Sequence, residues 1–172
     1  DLAGALQGFD AVRAEDPGFL PSRVYRAAAR ALGGGDLAAA RAAWLAVPPE
    51  APEPPDARLW LGLGILLADD EGGPAPFRLA IPEFDAARRG GPETARLAEA
   101  ALAFLRGAGA EAESMLEGVP GWVPALLRGI LACNRTPLAL GDARVIADFT
   151  TVLDEGPPAL WVWNNRGLAR EM

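Results

Sequence analysis

The sequence predicts an all-α fold in which pairs of antiparallel helices follow one another along the chain. Two observations carry this prediction: apolar residues recur at helical spacing, and bulky side chains return about every 35 residues. The clearest helical segment contains Trp60, Leu63, Gly64 and Leu67, which fall at positions i, i+3, i+4 and i+7. A period of this length is typical of repeats that share their hydrophobic cores with their neighbours.

Each predicted repeat contains two half-patterns. The second half places a small or branched residue four positions before a bulky one, as in Ala80 and Phe84. The bulky positions are Phe9, Trp44, Phe84, Leu116 and Phe149. A glycine within a helix costs roughly 1 kcal/mol relative to alanine, so Gly64 needs a packing reason. We therefore expect Gly64 to form a notch that is filled by Phe84.

Ten helical segments are predicted, and breaking residues separate them. They are residues 1–14, 20–32, 37–47, 56–69, 78–90, 93–106, 110–118, 122–134, 142–155 and 159–170. Pro17 and Gly18 follow the first helix, and the triplet 33–35 is a glycine turn. Asp36 is the predicted N-cap of helix 37–47, because its carboxylate can accept a free backbone N–H.

Longer breaks divide the middle of the chain. Residues 48–56 contain five prolines and predict an extended spacer, either a loop between repeats or a docking site for a proline-binding module. An enlarged turn at 70–76 precedes the helix 78–90, and Pro82 is expected in its first turn, where a missing N–H is tolerated. Thr136 and Pro137 break the chain before helix 142–155.

These half-patterns resemble the tetratricopeptide repeat, whose signature is Trp-x2-Leu-Gly-x2-Tyr, then Ala-x3-Phe and Pro, over about 34 residues. The frame Trp163-x2-Arg166-Gly167-x2-Arg170 repeats the frame at Trp60, although arginine replaces the expected tyrosine. The resemblance implies a right-handed α-solenoid of about ten helices over residues 1–172. Its units would be a half repeat at 1–19, repeats at 20–55, 56–92, 93–121 and 122–158, and a half repeat at 159–172.

The resemblance also implies a concave groove that binds a peptide. The candidate partner-binding residues are Val24, Arg58, Leu61, Ile65, Leu126, Ile130, Asn164 and Leu168. The family's clamp for a peptide carboxylate uses Lys, Asn and Arg, whereas this chain has no Lys. An apolar or basic segment of a partner is therefore expected. The alternative is that the apolar residues of this stripe are buried between repeats.

Catalytic and metal sites are not expected. The chain has no His, which excludes an imidazole base and any Ser–His or Cys–His pair. The single cysteine, Cys133, is interpreted as a small buried apolar residue and not as a nucleophile. The acidic cluster Asp69, Asp70 and Glu71 is interpreted as a solvated helix end and not as a metal site. A hard-cation site needs about six oxygen ligands. No cofactor is expected.

The charge of the chain limits the classes of partner that it is expected to bind. The formal net charge is −7, which disfavours nucleic acid and anionic membrane surfaces. No apolar run reaches ~18 residues, so no membrane span is predicted. All 16 basic residues are Arg, which is typical of a GC-rich coding bias. We expect a fragment of a larger bacterial protein with a cytoplasmic location.

The predicted function is that of a non-catalytic protein–protein interaction scaffold. Two alternatives stay open. The array could be an accessory region of a multidomain enzyme, such as a bacterial serine/threonine protein kinase. It could also be a structural solenoid that self-associates through its uncapped end helices, 1–14 and 159–170. Asn164 and Asn165 could contact a peptide backbone, or they could form hydrogen bonds inside the array.

Overall fold

The computed structural model describes residues 2–32, 42, 54–67, 75–134, 142–156 and 160–171. Within these ranges all regular secondary structure is α-helical, which confirms the all-α prediction for this part of the chain. The helices are α1 (Leu2–Glu15), α2 (Leu20–Leu32), α3 (Pro55–Leu67), α4 (Ala75–Ala87), α5 (Pro92–Leu105), α6 (Gly109–Leu116), α7 (Trp122–Cys133), α8 (Ala143–Glu155) and α9 (Leu160–Glu171).

Several predicted features lie outside the described residues. They are the glycine turn 33–35, the cap Asp36, helix 37–47 with Trp44, most of the proline-rich segment 48–56, the acidic cluster 69–71 and the break at Thr136 and Pro137. None of the helices in the described ranges combines the length and the apolarity that crossing a bilayer requires.

The observed helix ends lie within three residues of the predicted ends, and the largest difference concerns α4. This helix begins at Ala75 and not at residue 78, so Pro82 lies inside the helix. The prediction that Pro82 occupies the first turn is therefore wrong. Pro76 explains the earlier start, because the fixed φ of proline suits the first turn of a helix. Pro82 has no N–H to donate to the carbonyl of Arg78, and its side chain is exposed.

The chain divides into two compact units, Asp1–Ala95 and Arg96–Met172. In the first unit α2 packs against α1 and α3, and α3 packs against α4. The helix α3 is apolar on most of its circumference, and eight of its 13 residues are buried. A helix of this kind is stable only when neighbours cover it on several sides. The predicted repeat boundaries within this unit remain predictions.

In the second unit α7 has the same central role. It packs against α6 and α8, and α8 packs against α9. Eight of the 12 residues of α7 are buried, including Leu126, Leu127 and Ile130. The helix α8 is amphipathic, with Val145, Phe149 and Val152 on its buried face. Asp142 caps α8, because its side chain accepts a hydrogen bond of 2.8 Å from the backbone N–H of Arg144.

Candidate interaction surface

The apolar residues of the predicted groove are part of the hydrophobic core. Val24 and Leu126 are fully buried, and Leu61, Ile65 and Ile130 are between 2% and 4% exposed. Val24 packs with Ala28 and Ala57 in a cluster between α2 and α3. These five side chains are therefore not available for direct contact with a partner, which corrects the expectation that they line an open groove. Their burial agrees with the alternative in which they pack between helices.

Arg58, another candidate partner-binding residue, forms an ion pair within the protein. Its Nη1 atom lies 2.6 Å from Oε2 of Glu83 on α4, and the two side chains are 16% and 14% exposed. A charge-assisted hydrogen bond is stronger than one between neutral groups, and a partly buried pair is screened less by salt than a surface pair. Arg58 therefore joins α3 to α4.

Two predicted residues, Asn164 and Leu168, remain on the surface. Both lie on α9 and are exposed, and the side chain of Leu168 is 52% exposed. The neighbouring Asn165 is half-buried, and its Oδ1 atom accepts a hydrogen bond of 3.3 Å from Cys133 Sγ on α7. For Asn165 the structure therefore shows an internal hydrogen bond.

Cys133 is a sheltered thiol. Burial raises its pKa from 9.0 to about 11, because the thiolate would lose hydration. The thiol is therefore protonated at neutral pH, and a protonated thiol is a poor nucleophile. This agrees with the interpretation of Cys133 as a small apolar residue.

In the first unit a phenylalanine ring lies directly over a glycine. A Cβ atom built on Gly62 of α3 would come within 2.7 Å of Cε1 and 2.9 Å of Cζ of Phe84. Phe84 is fully buried. Phe84 therefore fills a notch as predicted, but the glycine beneath its ring is Gly62 and not Gly64. Residues two apart in a helix point about 200° away from each other, so the register of α4 selects one of the two glycines.

In the second unit the same contact recurs between α7 and α8. A Cβ atom on Gly129 would overlap the ring of Phe149, whose Cδ1 atom would be 3.0 Å away. The residue before the ring, Asp148, accepts hydrogen bonds from Arg128: Nη2 is 2.6 Å and Nε is 3.0 Å from Oδ1. In both units an acidic residue followed by phenylalanine thus meets arginine and glycine on the preceding helix. We call Glu83–Phe84 and Asp148–Phe149 the acid–aromatic pairs.

Arg128 also holds the end of α6. Its Nη1 atom donates to the carbonyl oxygens of Leu116 and Val119, each at 3.1 Å. Carbonyl groups at a helix C-terminus have no partner inside the helix, and a cation placed there satisfies them and interacts favourably with the helix dipole. One side chain therefore connects α6, α7 and α8.

A row of aromatic rings crosses three helices of the first unit. Phe9 stacks on Tyr25 with 6.2 Å between ring centroids, and Tyr25 lies 5.7 Å from Trp60. Burial raises the pKa of Tyr25, and the hydrogen bond from its hydroxyl to Asp56 raises it further. Beside this row, a hydrogen bond from Arg26 lowers the pKa of Asp10. The Nε atom of Arg26 lies 2.7 Å from Oδ1 of Asp10.

The helix α9 exposes a face that combines an aromatic ring with arginine. Trp163 is 50% exposed, and the guanidinium carbon of Arg166 lies 4.5 Å from the centroid of its ring. Gly167 lies one turn after Trp163, and a Cβ atom built on it would have no atom within 4 Å. Val162 and Ala169 of the same helix are buried. We call Trp163, Arg166, Gly167 and Arg170 the outer face of α9.

A shallow cleft lies among α6, α7 and α8. Its charged residues are Glu113, Glu117, Arg128, Asp142, Arg144 and Asp148. Four of these residues are acidic and two are basic, and Arg128 and Asp148 bind each other. Among the described residues, no group of three or more His, Cys, Asp or Glu side chains is arranged to hold a metal ion.

Comparisons with known proteins do not identify a relative. No family model matches the chain, and searches of curated proteins and of solved structures find no match.

Proposed function

We propose that this protein is a non-catalytic protein–protein interaction scaffold built from tetratricopeptide-like helix pairs. The observation that carries the proposal is the ring-over-glycine contact, found at Gly62 with Phe84 and again at Gly129 with Phe149. Recurrence of one packing contact along a chain is expected when helix pairs are stacked as repeats. In this proposal the complete array is a right-handed α-solenoid.

The proposed partner is a peptide or a protein segment. Stacked helix pairs present extended surfaces and bind partners on them. An apolar or basic segment complements a chain of net charge −7 and is favoured over nucleic acid or an anionic membrane. Since five predicted groove residues are buried, the contact surface includes the exposed residues Asn164 and Leu168. The protein is proposed to act in the cytoplasm.

Site-specific photo-crosslinking in the native cells tests this proposal. A photoreactive amino acid at Leu168 should yield a discrete adduct with a protein partner. The same amino acid at Asp85, an exposed position of α4, is the matched control and should not yield it. Equal labelling at both positions, or none at either, would contradict a specific contact surface on α9.

Charge substitutions in the buried stripe should act on folding. Leu61 and Leu126 are 2% and 0% exposed, and an unpaired charge cannot be buried without a large desolvation cost. We expect Leu61→Asp and Leu126→Asp to lose much of their helical signal in circular dichroism. A variant that keeps its full helicity and thermal transition while losing its partner would restore the groove interpretation for these residues.

A further inference from the structure

The outer face of α9 shares an adjacent arginine and glycine with a surface of α7 that is covered by another helix. Arg128–Gly129 on α7 corresponds to Arg166–Gly167 on α9, and Ala125 corresponds to Trp163. On α7, Ala125 and Gly129 are buried. On α9, Trp163 and Gly167 are exposed. The two helices therefore share an arginine–glycine pair whose surroundings are covered by a helix on α7 and exposed on α9.

The helix that covers the α7 surface shows what chemistry this arginine–glycine pair binds. Phe149 lies against Gly129, and the carboxylate of Asp148 binds Arg128. In the first unit a helix with an acid–aromatic pair also covers a glycine, since Phe84 lies against Gly62 and Glu83 binds Arg58, although this arginine precedes the glycine by four residues and is not adjacent to it. In both cases the occupant is a helix that carries an acid–aromatic pair.

Charge supports the same type of occupant on α9. The outer face of α9 carries Arg166 and Arg170, with the exposed Glu171 one turn after Gly167, although the whole chain has a net charge of −7. Arg166 is held over the ring of Trp163, which keeps its guanidinium at this face. A carboxylate on an incoming helix would meet this positive charge, and its aromatic ring would fit the open space at Gly167.

We propose that the outer face of α9 is a docking site for a helix of another protein that carries an acid–aromatic pair. The phenylalanine ring packs on Gly167 beside Trp163, and the adjacent carboxylate binds Arg166. This binding mode places an amphipathic helix against a complementary helical surface. It goes beyond the scaffold function proposed above, because it concerns a different face of α9 and an acid-bearing helix in place of an apolar or basic segment.

A synthetic peptide provides the probe. Residues 142–156 of this chain contain helix α8 with both of its caps, and α8 carries Asp148–Phe149. A fluorescent, helix-stabilised peptide of this sequence would be titrated with the 172-residue chain. We expect a saturable rise in fluorescence anisotropy. Peptides with Asp148→Asn or Phe149→Ala should bind at least tenfold more weakly, because each loses one of the two contacts.

Variants of the chain locate the binding site. Gly167→Leu fills the space that the ring would occupy and should weaken binding at least tenfold, and Arg166→Gln should reduce both the affinity and its salt dependence. Gly8→Leu is the matched control, because Gly8 is also a helical glycine with no atom within 4 Å of a built Cβ. It should bind like the parent chain. Circular dichroism of each variant checks that folding is intact.

Three outcomes would overturn the proposal. The first is equal binding of the parent and the Phe149→Ala peptide, which would show that the ring is not recognised. The second is equal binding to the parent chain and to Gly167→Leu, which would place the peptide elsewhere. The third is a dimer in sedimentation velocity that Gly167→Leu dissociates, since a second copy would then occupy this face. None of these results depends on the crosslinking at Leu168, so failure of one proposal is distinguishable from failure of the other.

Discussion

Gly62 and Gly129 each leave out one methyl group, and a phenylalanine ring occupies the space. The ring cannot approach this closely over any other residue, because a Cβ atom would overlap it. Glycine lowers the intrinsic stability of its own helix. Burial of a phenylalanine side chain contributes about 1.5–3 kcal/mol, which offsets that cost.

We expect Gly129→Ala to lower the free energy of unfolding by about 1–2 kcal/mol. Over-packing a tight contact costs about 1–3 kcal/mol, and the higher helix propensity of alanine returns part of it. Urea denaturation followed by circular dichroism measures the change. Gly8→Ala is the control: no atom lies within 4 Å of its built Cβ, so it should stabilise the chain by up to ~1 kcal/mol. Stabilisation by Gly129→Ala would contradict the close ring contact.

Cys133 should react slowly with thiol reagents. Burial raises its pKa to about 11, so at about pH 8 its thiolate is scarcer than that of an unfolded cysteine by a factor on the order of 100. Labelling by a chromogenic disulfide reagent, compared between native and denatured protein, measures the ratio. Between about pH 9 and about pH 11 the Cys133 thiol keeps its proton in the folded state and loses it in the unfolded state. The free energy of unfolding therefore falls as the pH rises through this range. Equal labelling rates in native and denatured protein would contradict the burial of the Cys133 thiol.

At the scale of single elements, helix ends and helix pairs depend on a few polar groups. Arg58 joins α3 to α4, and Arg128 joins α6, α7 and α8. The outer face of α9 has the same arginine–glycine frame without such an acidic partner from a neighbouring helix among the described contacts. A helix with an acidic partner therefore covers the arginine–glycine pair of α7, whereas Gly167 of α9 faces open space.

The cap of α8 gives a direct test at this scale. Asp142→Ala should lower the free energy of unfolding by about 1 kcal/mol, because the first turn of α8 loses the acceptor for the N–H of Arg144. Thermal and urea unfolding measure the effect. Asp154→Ala near the other end of α8 is the matched control, because it removes an equal charge from an exposed position. A similar loss from both substitutions would assign the effect to charge and not to the cap.

At the scale of the whole molecule, acidic charge is the dominant electrostatic feature. There are 23 acidic and 16 basic residues, and the sequence pI is about 4.6. Like charges repel one another more strongly in a compact state than in an extended chain. The ion pairs of Arg26, Arg58 and Arg128 neutralise acids locally, but the excess of negative charge remains.

Added salt should therefore raise the melting temperature at about pH 8. Ions screen repulsion over a Debye length, which is about 10 Å at 0.1 M ionic strength. The rise should shrink as the pH approaches the isoelectric value of about 4.6, where net repulsion disappears. Scanning fluorimetry in sodium chloride at the two pH values measures both effects. A melting temperature that falls with salt at pH 8 would show that attractive ion pairs outweigh the net charge.

Within the described residues, the sequence by itself determined where most of the helices lie. Apolar periodicity and breaking residues are local signals, so α1, α2 and α5 to α9 begin and end within two residues of their predicted limits. It also determined which residue types would meet, since phenylalanine against glycine follows from the size of the two side chains. The start of α4 was missed because proline is acceptable both in a first turn and, at a cost, inside a helix.

Only the tertiary structure decided which glycine receives which ring and which apolar residues stay exposed. Gly62 and Gly64 are equally small, and the rotation and translation of α4 against α3 select Gly62. Leu61 and Leu168 belong to the same predicted stripe, yet one is buried and the other is exposed. The reason is that periodicity identifies a helix face, whereas burial depends on a neighbouring element that is distant in the sequence.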